Sequence, residues 1–201
     1  MADSPTVLLI LAGPAGVGKS TLCDRLVREV PGFERVITAT TRPPRPNEVD
    51  GRDYHFLSEA EFDAKLAAGD FLEWAWVHRK YRYGTPKSTV LERLKHTCLV
   101  MNIDVQGVRN IRAAAEHMPD LKRRLVTMFV SPDSMDVLRE RLLGRGPVSD
   151  DELTRRLQSA EFEMADRASY DFVIHSKTKE QDFRALLDFW DQAKAKLGHG
   201  C

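Results

Sequence analysis

Cysteine is scarce: Cys23, Cys98 and Cys201 are the only three in 201 residues, and no CxxC pair occurs. A dispersed, odd-numbered set gives no sign of a disulfide framework or of a thiolate zinc site. Cys23 and Cys98 lie in apolar contexts and read as core thiols. Long hydrophobic runs are missing too. The longest, Val7 to Ala12, falls far short of the roughly 20 apolar residues that span a bilayer. No basic segment with a small-residue cleavage site precedes it, so a cytoplasmic protein is expected. Nor does one sign of charge prevail. Thirty basic and thirty acidic side chains cancel, which argues against nucleic acid or an anionic membrane as a bulk electrostatic partner. Any anion binding must be local. Internal repeats and low-complexity tracts are also absent. What remains, 42% hydrophobic and 30% charged residues, is ordinary globular composition at a length suited to one folding unit.

The order of patterns along the chain describes an α/β protein. Val7 to Ala12 reads as a fully buried strand, Gly13 to Gly18 breaks it, and Ser20 to Val30 has helical spacing through Leu22, Leu26 and Val30. Further apolar strands are expected at Thr97 to Ile103, Leu125 to Val130 and Tyr170 to Ile174, each followed by a helical pattern, the succession of a doubly wound parallel sheet. Between Arg35 and Thr85 the texture changes. Pro43, Pro44 and Pro46 crowd one loop, and short strands at Tyr54 to Leu57 and Phe71 to Val77 flank a helix. That helix carries its own start and stop: Ser58 with Glu61 forms a capping box, and Gly69 follows the last turn. This stretch reads as a mainly antiparallel insertion, continued by a helix from Pro86 to about Lys95. The segment Gly144 to Asp150 suits a mobile lid.

Gly13, Pro14, Ala15, Gly16, Val17, Gly18, Lys19 and Ser20 satisfy GxxxxGK[ST] in full, directly after a strand and before a helix. The chemistry demands these types. Glycines let backbone N–H groups converge on phosphates without interference from Cβ, and the helix N-terminus adds its positive dipole end. Lys19 then reaches the β and γ phosphates of a nucleoside triphosphate and Ser20 is placed to ligate Mg²⁺. Thr21 can assist at the phosphates or simply favour the helix.

A phosphate loop does not say what receives the phosphoryl group; the insertion does. It holds Thr38-Ala-Thr-Thr-Arg42-Pro-Pro-Arg45-Pro-Asn47-Glu48 and then Gly51-Arg-Asp-Tyr54. Glu73 follows within Phe71-Leu-Glu-Trp-Ala75, then Tyr83-Gly-Thr85-Pro86, Ile103-Asp104-Val-Gln-Gly107, and Arg145 within Gly144-Arg-Gly146. In these motifs, in unbroken order from about Val7 to Leu197, the chain strongly resembles the guanylate kinases. The resemblance implies a P-loop three-layer core around a five-stranded parallel sheet (6–34, 96–142 and 159–197), a GMP-binding insertion at 35–95, a short helical lid at 143–158 and a flexible tail at 198–201. It implies transfer of the γ-phosphate of Mg-ATP to GMP, with no nucleic acid, membrane or obligatory protein partner.

The residues make chemical sense in the implied roles. Arg42 and Arg45, on a proline-stiffened loop, form a guanidinium pair suited to a phosphate. Tyr54 and Tyr83 would donate hydroxyls to the same phosphate, and Thr38 keeps the hydroxyl where the family commonly has serine. Glu73 is the expected base reader, because a carboxylate accepts from guanine N1–H and the exocyclic amine together, and adenine offers neither donor in that place. Such a site rejects the wrong base by roughly 10⁴ or more. By resemblance Thr85 meets guanine O6, Asp104 faces the guanine side or merely caps a helix, and Arg141, Arg145 and Arg156 close on the phosphates. Trp74, Trp76 and Trp190 read as packing residues, with Trp76 on the face opposite Trp74.

Four differences from the family pattern stand out. Asn102 stands for a usual aspartate, and His175-Ser176-Lys177 for the usual valine-asparagine-aspartate near the adenine site. The loop His78 to Tyr83 is one residue longer and carries Arg79, Lys80 and Arg82, and Asn47 replaces a glycine, mildly, since asparagine tolerates the left-handed region. Two other readings compete. A guanylate-kinase-like scaffold domain is expected to have a broken phosphate loop, which is intact here, and a kinase for another phosphorylated acceptor sits poorly with Arg42, Arg45, Tyr54, Glu73, Tyr83 and Thr85.

Overall fold

The apolar run after Thr6 is buried on every residue from Val7 to Ala12, and the period-two alternation of a strand divides it between two cores. Leu9 and Leu11 join one cluster; Leu8, Ile10 and Ala12 join the other. A strand with both faces buried belongs in the middle of a sheet. The computed structural model describes residues 6–77, 80–144 and 148–197; His78, Arg79, Arg145 and the tail 198–201 lie outside the described residues. In chain order the elements are β1 (Leu8–Ala12), α1 (Lys19–Glu29), β2 (Phe33–Arg35), β3 (Ala39–Thr40), β4 (His55–Phe56), α2 (Glu59–Ala67), β5 (Phe71–Val77), β6 (Tyr81–Pro86), α3 (Lys87–Arg93), β7 (Cys98–Asn102), α4 (Val105–Glu116), α5 (Pro119–Arg124), β8 (Leu125–Pro132), α6 (Met135–Leu143), α7 (Asp150–Ala165), β9 (Phe172–Ser176) and α8 (Lys179–Leu197).

The main sheet has five parallel strands in the order β2-β7-β1-β8-β9. Parallel neighbours need crossovers, and the helices supply them on both faces. One face packs against Leu22 and Leu26 of α1, Leu138 and Leu142 of α6, Leu153 of α7, and Phe183, Leu186 and Trp190 of α8. The other packs against Val90 of α3, Val105, Val108 and Ile111 of α4, and Leu121 of α5. Each such side chain contributes about 1.5–3 kcal/mol by leaving water. The phosphate loop and the C-terminal ends of β7 and β8 therefore meet at one edge of a rigid slab. Cys23 is a free thiol, pushed up to about 12 by burial and so unreactive. Cys98 corrects the expectation of a free core thiol: it is buried and disulfide-bonded.

A second, mixed sheet runs β4-β3-β6-β5. β5 and β6 form an antiparallel hairpin, β3 pairs antiparallel with β6, and β4 adds parallel to β3. Gly84 on β6 is a close-approach position, since a Cβ there would lie 2.7 Å from the Phe71 ring. The capping box of α2 is present as expected, Ser58 and Glu61 each meeting the other's backbone N–H, and Phe62 stacks on Phe71 with centroids 4.5 Å apart. Asn110 of α4 donates to Trp74 O at 3.0 Å, tying this sheet to the main slab. Asn47 takes φ +72°, the left-handed conformation expected of the glycine it replaces. Among the described residues no helix is long and apolar enough to cross a membrane.

Candidate active site

The loop between β1 and α1 folds as its glycines require. Gly13 has φ +129°, and a Cβ on it would stand 2.3 Å from Val130 O on β8, so only glycine lets the loop leave the sheet here. Gly18, at φ +101°, is the N-cap of α1. Lys19 Nζ donates to Pro14 O at 2.9 Å and to Gly13 O, which holds the ammonium in the mouth of the loop. Ser20 lies exposed in the first turn, where the helix dipole favours an anion.

From this loop a cleft of about 460 Å³ leads to the second sheet, lined by Gly13, Ala15 and Lys19 at one end and by Thr38, Tyr54, Glu73 and Tyr83 at the other. The hairpin register builds the far end, setting Glu73 opposite Thr85 and Ala75 opposite Tyr83. Glu73 is 7% exposed. Burial pushes its carboxyl up to about 7; the Thr85 hydroxyl opposes that rise and Asp104 adds to it. Thr85 is fully buried and donates to Glu73 Oε1 at 2.6 Å, so it reaches the cleft through the carboxylate. Arg42, 7% exposed, donates from Nε to Tyr83 Oη at 3.1 Å and from Nη2 to both oxygens of Glu48 at 2.9 Å. Its guanidinium lies 5.4 Å from the centre of the Tyr54 ring. Glu48 also accepts from the Arg45 backbone N–H at 2.7 Å, closing the proline-rich loop on itself, while the Arg45 side chain is exposed.

On the third wall stands Asp104, at the start of α4. Its side chain caps α4 by accepting from Gly107 N at 2.8 Å, and it lines the cleft. Asn102, at the end of β7, accepts from Arg35 Nη2 at 2.7 Å, and Arg35 Nη1 pairs with Asp24. Arg141 stands on the other side of the phosphate loop, in a second cavity of about 550 Å³ shared with Gly16, Gly18 and Thr21. Arg156 pairs with Glu152 one turn back on α7, at 2.9 Å. Arg82 is structural, buried against Phe62 and paired with Glu59 and Asp63.

Several residues here are absent from the sequence reading. Glu163 of α7 lines the cleft, its carboxyl raised by burial, in the fields of Lys19 and Asp104. Phe162, 66% exposed, lines the same cleft, and so does Trp76, 47% exposed, which the sequence places among the packing residues. The expectation for Trp76 needs correction: two positions apart on a strand, Trp74 and Trp76 share a face, Trp74 lying against Phe62 and Trp76 against Arg82, which itself stacks over Phe62. Glu48 stands in the acceptor motif of the sequence, and its pairing with Arg42 shows only in the fold.

With this geometry in place, likeness to known proteins becomes informative. The family model described as guanylate kinase matches residues 6–193. A guanylate kinase of Corynebacterium glutamicum is 42% identical over 183 residues, covering 90% of this chain and 93% of its own. One from Gloeobacter violaceus is 45% identical over 169 residues, 83% of this chain and 78% of its own. The crystal structure of guanylate kinase from Anaplasma phagocytophilum superposes with a TM-score of 0.74 at 26% identity, covering 94% of this chain and 87% of that one. Likeness on this scale takes in the slab, the loop and the second sheet together, and so this chain belongs to the guanylate kinase family, the ATP:GMP phosphotransferases.

Proposed function

We propose that the two ends of the cleft hold the two substrates head to head, GMP on the second sheet and the ATP phosphates on the glycine loop. The observation that carries this is the continuity of one cleft from Lys19 to Glu73. In this reading residues 35–95 are the acceptor-binding unit and 143–158 the lid. Glu73 reads the guanine edge, backed by Thr85, with Asp104 beside it. Arg42, Arg45, Tyr54, Tyr83 and Thr38 hold the GMP phosphate. Arg42 comes to this task prepositioned by Glu48, which holds the guanidinium until phosphate oxygens share it. Backbone N–H groups of the loop from Gly13 to Thr21, Pro14 having none, and the Lys19 ammonium take the donor phosphates. Arg141, Arg145 and Arg156 close from the lid side.

Ser20 suits a magnesium ion: its hydroxyl is exposed in the first turn beside Lys19, and Mg²⁺ takes few protein oxygens when substrate phosphates and water supply the rest. Bound there, the ion would neutralise charge on the donor phosphates. Catalysis by the protein is then positioning and electrostatics. The GMP phosphate is already an anion, so no general base is required, and the cleft's task is to align attacking and leaving oxygens and to exclude water. The test is ADP release from Mg-ATP with GMP, AMP, CMP or UMP as acceptor and a no-acceptor control. GMP-selective turnover is expected; GMP binding without turnover would overturn this assignment of the machinery.

A further inference from the structure

On the donor side lies a buried carboxylate that the mechanism above does not use. Asp182, in the first turn of α8, is 7% exposed, and its neighbour Ser176 at the end of β9 is fully buried. Ser176 Oγ lies 2.7 Å from Asp182 Oδ2 and the Lys177 backbone N–H donates to Oδ1 at 2.6 Å. Arg141 closes the arrangement, giving Nη1 to Ser176 Oγ and Nη2 to Lys177 O, each at 2.9 Å. Proton counting fixes its direction: a guanidinium only donates and a carboxylate only accepts, so the single Ser176 hydroxyl proton goes to Asp182 and its lone pair to Arg141. Both ends are charged, which strengthens each bond in the chain. The first turn of a helix favours the negative charge.

We propose that Asp182 is a positioning residue for the phosphoryl donor, holding Arg141 through Ser176 and Lys177 against the phosphate loop. Arg141 and Asp182 line the same 550 Å³ cavity as Gly16, Gly18 and Thr21, so the relay fixes a long cationic side chain where the ATP end of the reaction takes place. It also accounts for one departure from the family. The strand-end pair that usually ends in aspartate is Ser176-Lys177 here, and the carboxylate arrives from the next helix.

The proposal rests on the reading that Arg141 serves the donor, and the test separates the two. Steady-state KM for ATP and for GMP is measured for Asp182→Ala, Ser176→Ala, Arg141→Ala and the Asp182→Ala/Arg141→Ala double variant, with the thermal midpoint of each. Asp182→Ala should raise KM for ATP about tenfold, the scale of one charge-assisted bond, and leave KM for GMP within about twofold. Asp182→Asn keeps an acceptor for Lys177 and a polar partner for Ser176, and should recover most of the loss. Added to Arg141→Ala, Asp182→Ala should cost nothing further, because the effect passes through that arginine. If Arg141→Ala raises KM for ATP but Asp182→Ala and Ser176→Ala do not, or if the double variant is additive, the relay is refuted and the donor reading stands. If Arg141→Ala leaves KM for ATP unchanged, the donor reading itself fails and takes the relay with it. Should Asp182→Ala not fold, Ser176→Ala carries the same comparison.

Discussion

At the end of the cleft proposed for the donor the cradle is main chain: Gly13, Gly16 and Gly18 all take positive φ, and one side chain, Lys19, enters the mouth. At the end proposed for the acceptor the groups are side chains drawn from separate elements, with Glu73 on β5, Tyr83 and Thr85 on β6, and Asp104 before α4. The contrast follows from what is bound. Phosphates are alike in every nucleotide, so backbone N–H groups suffice, and the requirement on sequence is conformational. A base must be told from other bases, which takes a carboxylate whose partners and desolvation are arranged across a sheet.

The largest effects should come from breaking the main-chain end, and they should be of two kinds. Gly13→Ala places a methyl 2.3 Å from Val130 O at φ +129°, so β1 and β8 must part; a loss of more than about 3 kcal/mol in chemical denaturation is expected. Lys19→Ala leaves the backbone alone. It should cost transfer on the order of 10³-fold while GMP binding, measured by calorimetry, and the thermal midpoint stay close to wild type. Equal loss of catalysis and GMP binding in Lys19→Ala would mean that the two ends are not separable.

At the side-chain end one substitution should move selectivity and stability in opposite directions. Glu73→Gln cannot accept twice from guanine, so preference for GMP over AMP should fall by roughly 10²-fold. The carboxyl's folded value of about 7 lies above its ordinary 4.5, so between those values the folded state binds more protons than the unfolded. Stability therefore falls as pH rises from 4.5 to 7, and the full penalty, up to about 3 kcal/mol, is present above that window. Glu73→Gln should accordingly melt higher than wild type at pH near 8, and the gap should close near pH 4. Ionised Glu73 is also the form that accepts from guanine, so KM for GMP should drop as pH rises through 7 in wild type and not in Glu73→Gln. The phosphate of GMP titrates equally for both proteins, which makes the difference between them the readout.

The same contrast sets how much could be read without a structure. The main-chain end was legible because its requirement is contiguous: a glycine pattern, a lysine and a hydroxyl between an apolar run and a helical one. Four strands of the slab announced themselves as apolar runs. The fifth, β2, is three residues with one buried side chain, Phe33, too short to show any period. At the acceptor end the motif named Glu73 and Arg42, yet not what holds them, because Glu48, the Thr85 hydroxyl beneath Glu73, and Glu163 across the cleft act through distances that spacing does not encode. Asp182 is the extreme case, an ordinary acid on an amphipathic helix until the fold brings it under Ser176.

The smallest effect is expected at Asn102. An aspartate there is the family habit, and its absence suggests a weaker hold on the magnesium-bound donor. The structure supplies a counter-argument from β2, the strand that no pattern announced. Arg35 reaches from it to Asn102 Oδ1 at 2.7 Å while pairing with Asp24 through its other nitrogen. A carboxylate introduced at 102 would meet that guanidinium first, and an ion pair at hydrogen-bond distance offers little net charge to a cation farther into the cleft. Asn102→Asp should therefore change kcat/KM for Mg-ATP by less than about threefold and barely shift the Mg²⁺ concentration for half-maximal rate. Removing the arginine as well, in Asn102→Asp/Arg35→Ala, should expose the new carboxylate and lower that Mg²⁺ requirement. A tenfold gain from Asn102→Asp alone would show that Arg35 does not screen the site, and that the asparagine is a cost this enzyme carries.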